Sequence, residues 1–340
     1  MKSVRVLAAV AATFLSTLPA LAAGEVNVYT TREPGLAQPL FDAFTKESGI
    51  VVNTIFMKEG LAERVAAEGD NSPADLMMMV DFGNLADLAD RGLTQPAGSE
   101  TLDSVVPEGL RAPDGSWYAL SARARVLYAA KDRVTDTAVT YEDLADPKWQ
   151  GKVCIRSGQH PYNTALIAAV IAKKGEEEAK TWLEGVKANL ARKPGGGDRD
   201  VAKDILAGIC DIGIANSYYV GLMRSGAGGD EQKTWGDAIK VIMPTFADGA
   251  GTHVNVSGAA LAKNAPNKEN AVKLLEYLVS PEAQKIYAEA NYEYPVRADV
   301  DPDPIIAELG TLKIDPLPVT DIVKQRKAAS MLVDAVGFDN

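Results

Sequence analysis

Histidine is nearly missing from this chain: His160 and His253 stand nearly a hundred positions apart in 340 residues. So few imidazoles leave little room for a histidine-rich metal centre or for acid–base catalysis run by histidine. Cysteine is as scarce. Cys154 and Cys210 are the only two, and their spacing fits neither a Cys-x-x-Cys redox pair nor a thiolate metal site. No block of lysine and arginine occurs, and 46 acids outnumber 35 bases, for a sequence pI near 4.9. That balance argues against nucleic acid and anionic membranes as partners. Catalytic signatures are missing too: there is no G-x-S-x-G, no H-E-x-x-H and no Walker loop. Gly195–Gly197 lacks the Lys-Ser/Thr of a phosphate loop and reads as a flexible turn. What is present is a chain with 46% hydrophobic and 24% charged residues, enough for a sizeable core and against wholesale disorder.

The one long apolar stretch comes first. Lys2 and Arg5 precede the run Val6 to Leu18, and Pro19-Ala20-Leu21-Ala22 follows. A basic start, an apolar middle and an A-x-A pattern make residues 1–22 a secretory leader, cut near Ala22 or Ala23. The run is shorter than the roughly 20 residues needed to span a bilayer, so a retained anchor fits less well. Without the leader, 33 bases face 46 acids, a net charge of −13. Export to an oxidising compartment predicts one structural disulfide between Cys154 and Cys210, worth about 4 kcal/mol in the chain-entropy model.

After the leader, short apolar runs alternate with helical periodicity. Glu25–Tyr29, Val51–Phe56 and Asp75–Val80 read as strands, and the stretches Leu36–Glu47 and Leu61–Glu68 between them as helices. Leu36, Leu40, Phe41 and Phe44 share one face of the first helix. Strands separated by helices imply a parallel βαβ sheet. Met77–Met79 lie in a continuous apolar strand, which favours core packing over a soft-metal site. Farther on, Thr140-x-x-Asp143 is a capping box, and Asp146-Pro147 ends the short helix it opens. Strands are predicted at Val153–Ile155, Asp211–Ala215, Ile239–Met243 and Val254–Ala262, with a long helix from about Asn163 and another over Arg199–Ala207. Ala271, Leu274, Leu275 and Leu278 mark an amphipathic helix, and Ser280-Pro281 restarts one with a serine cap. With no low-complexity linker, two lobes joined by crossing strands fit better than separate beads.

Tyrosine placement carries the functional signal. Tyr218-Tyr219 follow the strand Asp211–Ala215 directly, and Tyr162 stands in the corresponding place after Val153–Ile155. In open α/β sheets, ligands bind beyond the carboxyl ends of strands. Arg32 lies just past the first strand. These four side chains can therefore converge on one cleft, although tyrosines at such positions often only bridge core and solvent.

The same segments resemble the periplasmic ferric-ion-binding proteins of bacterial ABC importers, over nearly the whole mature chain. The markers are V-Y-T-T-R at 28–32, S-P-A-D at 72–75, S-A-R-A-R at 121–125, D-P-K-W-Q-G-K-V-C-I-R-S at 146–157, G-I-C-D-I-G-I-A-N-S-Y-Y at 208–219 and Y-E-Y-P-V at 292–296. Asn-Ser-Tyr-Tyr is the most specific of them. The resemblance implies an α/β, two-lobe type II periplasmic-binding-protein fold. Each lobe would be a mostly parallel sheet flanked by helices, with the ligand cleft between them. The expected division is lobe 1 over 23–122 plus about 248–300, lobe 2 over 123–247, and a helical segment 301–340 packed on the lobes. It further implies Tyr162, Tyr218 and Tyr219 as ligands of Fe(III), with carbonate or another synergistic anion held by Arg32 and Arg123. The chemistry agrees: a hard cation prefers anionic oxygen, and guanidinium grips a carboxylate-like anion in two-pronged fashion.

Some positions stay open. Relatives with a histidine or tyrosine after the first strand contrast with Glu33-Pro34 here; Glu33 could ligate, but Arg32-Glu33-Pro34 looks more like the anion-holding version, and Glu33, Asn163 and Asp81 are kept as supporting residues near the site. Arg125 competes with Arg123, since residues two apart on a strand point the same way. His160 is read as a surface residue. The expected role is a monomeric, non-enzymatic binding protein of the periplasm that delivers ferric ion to an inner-membrane ABC permease. It would contact no nucleic acid and have no stable membrane insertion. The rivals are a binding protein for a small oxyanion (phosphonate, sulfate or carboxylate) and, less well supported, a secreted iron enzyme.

Overall fold

The computed structural model describes residues 24–340, and the leader with its cleavage point falls outside those residues. Nine strands form one sheet: β1 (Glu25–Thr30), β2 (Val51–Phe56), β3 (Leu76–Met79), β4 (Trp117–Ala130), β5 (Val153–Cys154), β6 (Ile212–Asn216), β7 (Ile239–Ile242), β8 (Val254–Leu261) and β9 (Tyr294–Pro295). Their order is β2-β1-β3-β8-β4-β6-β5, with β7 and β9 also paired to β4.

The first three strands follow the expected βαβ logic. β1 pairs in parallel with both β2 and β3, and helices Pro34–Ser48 and Leu61–Glu68 make the crossovers. Proline at the first turn opens helix Pro34–Ser48, and Gly49 closes it in the left-handed conformation at φ 74°. Ala37, Leu40, Phe41 and Phe44 are buried along it, each large side chain contributing roughly 2 kcal/mol by area. Leu36, placed on the same face, is only half-buried because it lines the cavity described below. Met77, Met78 and Met79 are buried in β3, as expected for core packing.

The expectation of mostly parallel sheets is corrected. Only β1–β2, β1–β3 and β5–β6 are parallel. β3–β8 and all four pairings of β4 with a neighbour are antiparallel. The sheet is therefore mixed. The reason lies in β4 and β8, which occupy the middle of the sheet and run against their neighbours, a direction that local periodicity does not report.

β4 organises the molecule. All 14 of its residues are buried, and no edge-strand alternation appears. Its first half pairs with β8 and β9, its second with β6 and β7. Ser121, Arg123 and Arg125 interrupt the apolar run at two-residue spacing and so share one face.

Smaller expectations resolve locally. Thr140 and Asp143 bond reciprocally as a capping box (2.8 and 3.1 Å), but the turn they open, Glu142–Ala145, is a 3-10 helix. The Ser280 hydroxyl accepts from Ala283 N–H (3.2 Å) and caps helix Pro281–Asn291. Cys154 and Cys210 form the disulfide, tying β5 to the residue that leads into β6. The end of the chain reaches back over the sheet: Arg326 pairs with Asp81 (2.9 Å), and Asp339 accepts from Ser157 and Gly158. Among the described residues, no helix is long and apolar enough to cross a membrane.

Candidate metal site

β5 and β6 run in parallel, and each ends in a turn that delivers tyrosine at the start of a helix. After β5, Pro161 opens helix Pro161–Lys174, so Tyr162 belongs to a first helical turn rather than a loop. His160 caps that helix: its Nδ1 accepts from Tyr162 N–H (3.2 Å), and its ring meets the Tyr162 ring edge-on at 4.5 Å. The surface reading of His160 is thereby corrected. It is half-buried, and burial with Arg156 nearby pulls its pKa down to about 4. After β6, the Ser217 hydroxyl accepts from Ala124 N–H on β4 (3.1 Å), which seats the start of helix Tyr218–Arg224.

This places the Tyr162 and Tyr218 hydroxyls 3.4 Å apart. The Tyr219 ring packs on Tyr218 at 4.1 Å between centroids. A cavity of about 260 Å³ opens beside them, lined by Tyr162, Tyr218, Arg32, Glu33, Arg123 and Glu293 among others. Tyr219 does not line the cavity. Among the described residues, no group of three or more His, Cys, Asp or Glu side chains is arranged to hold a metal ion.

The electrostatics favour the neutral phenols of Tyr218 and Tyr219. Burial, then the adjacent Tyr162 and Tyr219 oxygens, push the Tyr218 pKa well above the usual phenol value. Burial and Tyr162 raise that of Tyr219 as well. Three guanidiniums lie against the Tyr162 ring: Arg156 at 5.2 Å, Arg123 at 5.4 Å and Arg125 at 5.9 Å from its centroid.

The two competing arginines separate clearly. Arg125 is held in a buried ion pair with Asp198 (2.6 Å) and also donates to Asn216 (3.0 Å) and Asn163 (2.6 Å). Arg123 instead lines the cavity, donating to Ser257 (3.1 Å) and to the Val80 carbonyl. Asn163 does not line the cavity. Buried, it donates to the Arg156 and Ser157 carbonyls and fixes Arg125 behind Tyr162. Glu33 lies exposed at the cavity rim. Asp81 caps helix Phe82–Asp90 and receives Asn255 and Arg326, so its oxygens are already engaged.

Sequence reasoning missed Glu293. Its buried carboxylate accepts from Arg32 (3.1 Å), Ser121 and Ser257 (3.2 Å). The only hint was an acid enclosed by tyrosines in Y-E-Y-P-V, and its partner Arg32 is 261 positions away. Asn291, which accepts from Arg32 (2.9 Å), was likewise unforeseen. The Nε atoms of Arg32 and Arg123 are buried without a partner, as are those of Arg125 and Arg156.

Residues 71–311 match the family described as bacterial extracellular solute-binding protein. The "Iron uptake protein A2" of Synechocystis sp. is 41% identical over 97% of this chain and 95% of its own. Among solved structures, a Bordetella ferric binding protein is 66% identical, superposing with a TM-score of 0.90 over 93% of this chain and 100% of that one. A Trichodesmium protein (IdiA, FutA), in complex with iron and citrate ligands, is 44% identical with a TM-score of 0.89 over 93% and 100% of the two chains.

Proposed function

The chain belongs to the bacterial extracellular solute-binding proteins, among the periplasmic ferric-binding proteins of ABC iron-uptake systems, and is not an enzyme; on that premise we propose that it captures Fe(III) through the phenolates of Tyr162, Tyr218 and Tyr219. The observation that carries this reading is the 3.4 Å approach of the Tyr162 and Tyr218 hydroxyls beside a cavity faced by two arginines. Three phenolates balance the charge of a ferric ion and leave coordination positions for an anion. Carbonate fits that role, with Arg32 and Arg123 of the cavity wall to hold it.

In this reading the cavity is the cleft between two lobes, 23–122 with about 248–300 and 123–247, which close on the ligand about the crossing strands β4 and β8. Segment 301–340 packs across both. Once the leader is removed, the monomer works in the periplasm and passes its iron to an inner-membrane permease. Binding displaces phenolic protons, so affinity falls as pH falls.

The test is a visible spectrum of the mature protein, stripped with a chelator at low pH and reloaded with ferric iron. A reddish phenolate-to-iron band is expected on loading, weakened and shifted in Tyr219→Phe and lost when all three tyrosines are changed to phenylalanine. If the protein never takes up ferric iron but is thermally stabilised by a small oxyanion, even with all three tyrosines changed to phenylalanine, the cavity serves the anion.

A further inference from the structure

Tyr292 holds a backbone conformation that side chains avoid. Its φ is 56°, in the left-handed region, alone among the described non-glycine residues. It closes helix Pro281–Asn291, its N–H donating to the Ala288 carbonyl (2.9 Å). Glycine commonly fills such a cap, because it adopts that φ with no Cβ to crowd the backbone. A tyrosine there is strained and persists only where its surroundings hold it. Its two neighbours give one support: Asn291 and Glu293 both accept from Arg32 (2.9 and 3.1 Å). The ring gives another. It lies against Gly221, buried in helix Tyr218–Arg224, so closely that a Cβ on Gly221 would run into the Cβ, Cγ and Cδ1 atoms of Tyr292. Inside a helix alanine is the better former, so the approach of the ring is what calls for glycine at 221.

This contact stands at the seam of the cavity. Tyr218 and Leu222 line the cavity from the same helix as Gly221, and Ala290, Asn291 and Glu293 line it from the segment around Tyr292. We propose that Tyr292 is a positioning residue for iron capture: its ring, seated on Gly221, fixes the helix that starts with Tyr218 and Tyr219 against the segment that holds Arg32. The proposal rests on the ferric reading above, in which positions 221 and 292 belong to different lobes. The contact then forms as the lobes close, and its free energy adds to iron binding more than to the stability of the iron-free chain. Packing that was the same with and without iron would do the reverse.

The experiment measures the ferric affinity of the mature chain by competition with nitrilotriacetate, following the phenolate-to-iron band, and the urea midpoint of the iron-free chain. Gly221→Ala is expected to weaken ferric binding about tenfold and to leave the iron-free midpoint unchanged. A loss of less than about threefold overturns the proposal, whatever the midpoint does. Tyr292→Gly suits the left-handed φ and removes the ring. In that background the change at 221 is expected to alter affinity by less than about threefold. A larger loss there overturns the proposal, because the added methyl would then act elsewhere than on the ring. Should Gly221→Ala fail to fold, Tyr292→Gly alone is expected to weaken ferric binding about tenfold, and a loss of less than about threefold overturns the proposal. A wild-type chain that shows no band with ferric iron fails the ferric reading itself, and the proposal falls with it.

Discussion

Tyr218 and Tyr219 are phenols whose ionisation is resisted by burial and by the oxygen of Tyr162 nearby. In the ferric reading, a trivalent cation must therefore expel the protons of these two phenols to bind. Ferric loading at pH 7 is expected to release at least about two protons per iron, measured with an indicator in weak buffer. Release of less than about one would remove Tyr218 and Tyr219 from the ligand set. His253 offers a separate test of burial. Enclosed by the core and close to Arg125, its pKa is pulled down to about 3. Between the unfolded value near 6.5 and that folded value, the unfolded chain binds the extra proton, so stability falls as pH falls. The slope from His253 is about 1.4 kcal/mol per pH unit. Urea midpoints at several pH values between about 6 and 4 should show His253→Phe losing that slope. If the variant keeps the full dependence, His253 is not the titrating group. These residues were legible in the sequence to different degrees. Tyrosines after strand ends were visible from spacing, whereas Glu293 was not, since nothing local distinguishes a buried acid from a solvated one.

Helices and strands were legible where the pattern was local. The crossovers Pro34–Ser48 and Leu61–Glu68 carry clear 3.6-residue periodicity, and their strands carry continuous apolar runs. β4 was read only through its segment 121–125, because arginines within a buried strand contradict its apolar pattern. Tertiary partners resolve that conflict: Asp198 for Arg125, and Ser257 with the Val80 carbonyl for Arg123. Helix Pro281–Asn291 links a simple cap to the site, since its last residue, Asn291, accepts from Arg32. Ser280→Ala is expected to cost about 1 kcal/mol, read as a lower denaturation midpoint, with the band of the iron-loaded protein unmoved. A shifted band would mean that the helix start, and not only its end, positions Arg32.

The assembly of strands is where distant residues meet. The disulfide joins Cys154 at the end of β5 to Cys210 just before β6, closing a loop of 56 positions, and the same two strands lead to Tyr162 and Tyr218. Replacing both cysteines by serine is expected to cost about 4 kcal/mol of stability. Once the variant is folded, β5–β6 pairing persists and ferric loading should survive. Loss of loading in a folded variant would show that the bridge also sets the tyrosine spacing.

Composition and local pattern were sufficient for the α/β class, the first crossovers, the disulfide pair, the caps and the placing of tyrosines after strand ends. All of these depend on neighbours within a few turns of chain or on a simple count. The mixed direction of the sheet, the choice of Arg123 over Arg125 for the cavity, and the pairing of Arg32 with Glu293 were decided only by the fold. Each depends on which distant groups are buried together, and the cost of an unpaired buried charge is settled by partners that lie far away in sequence.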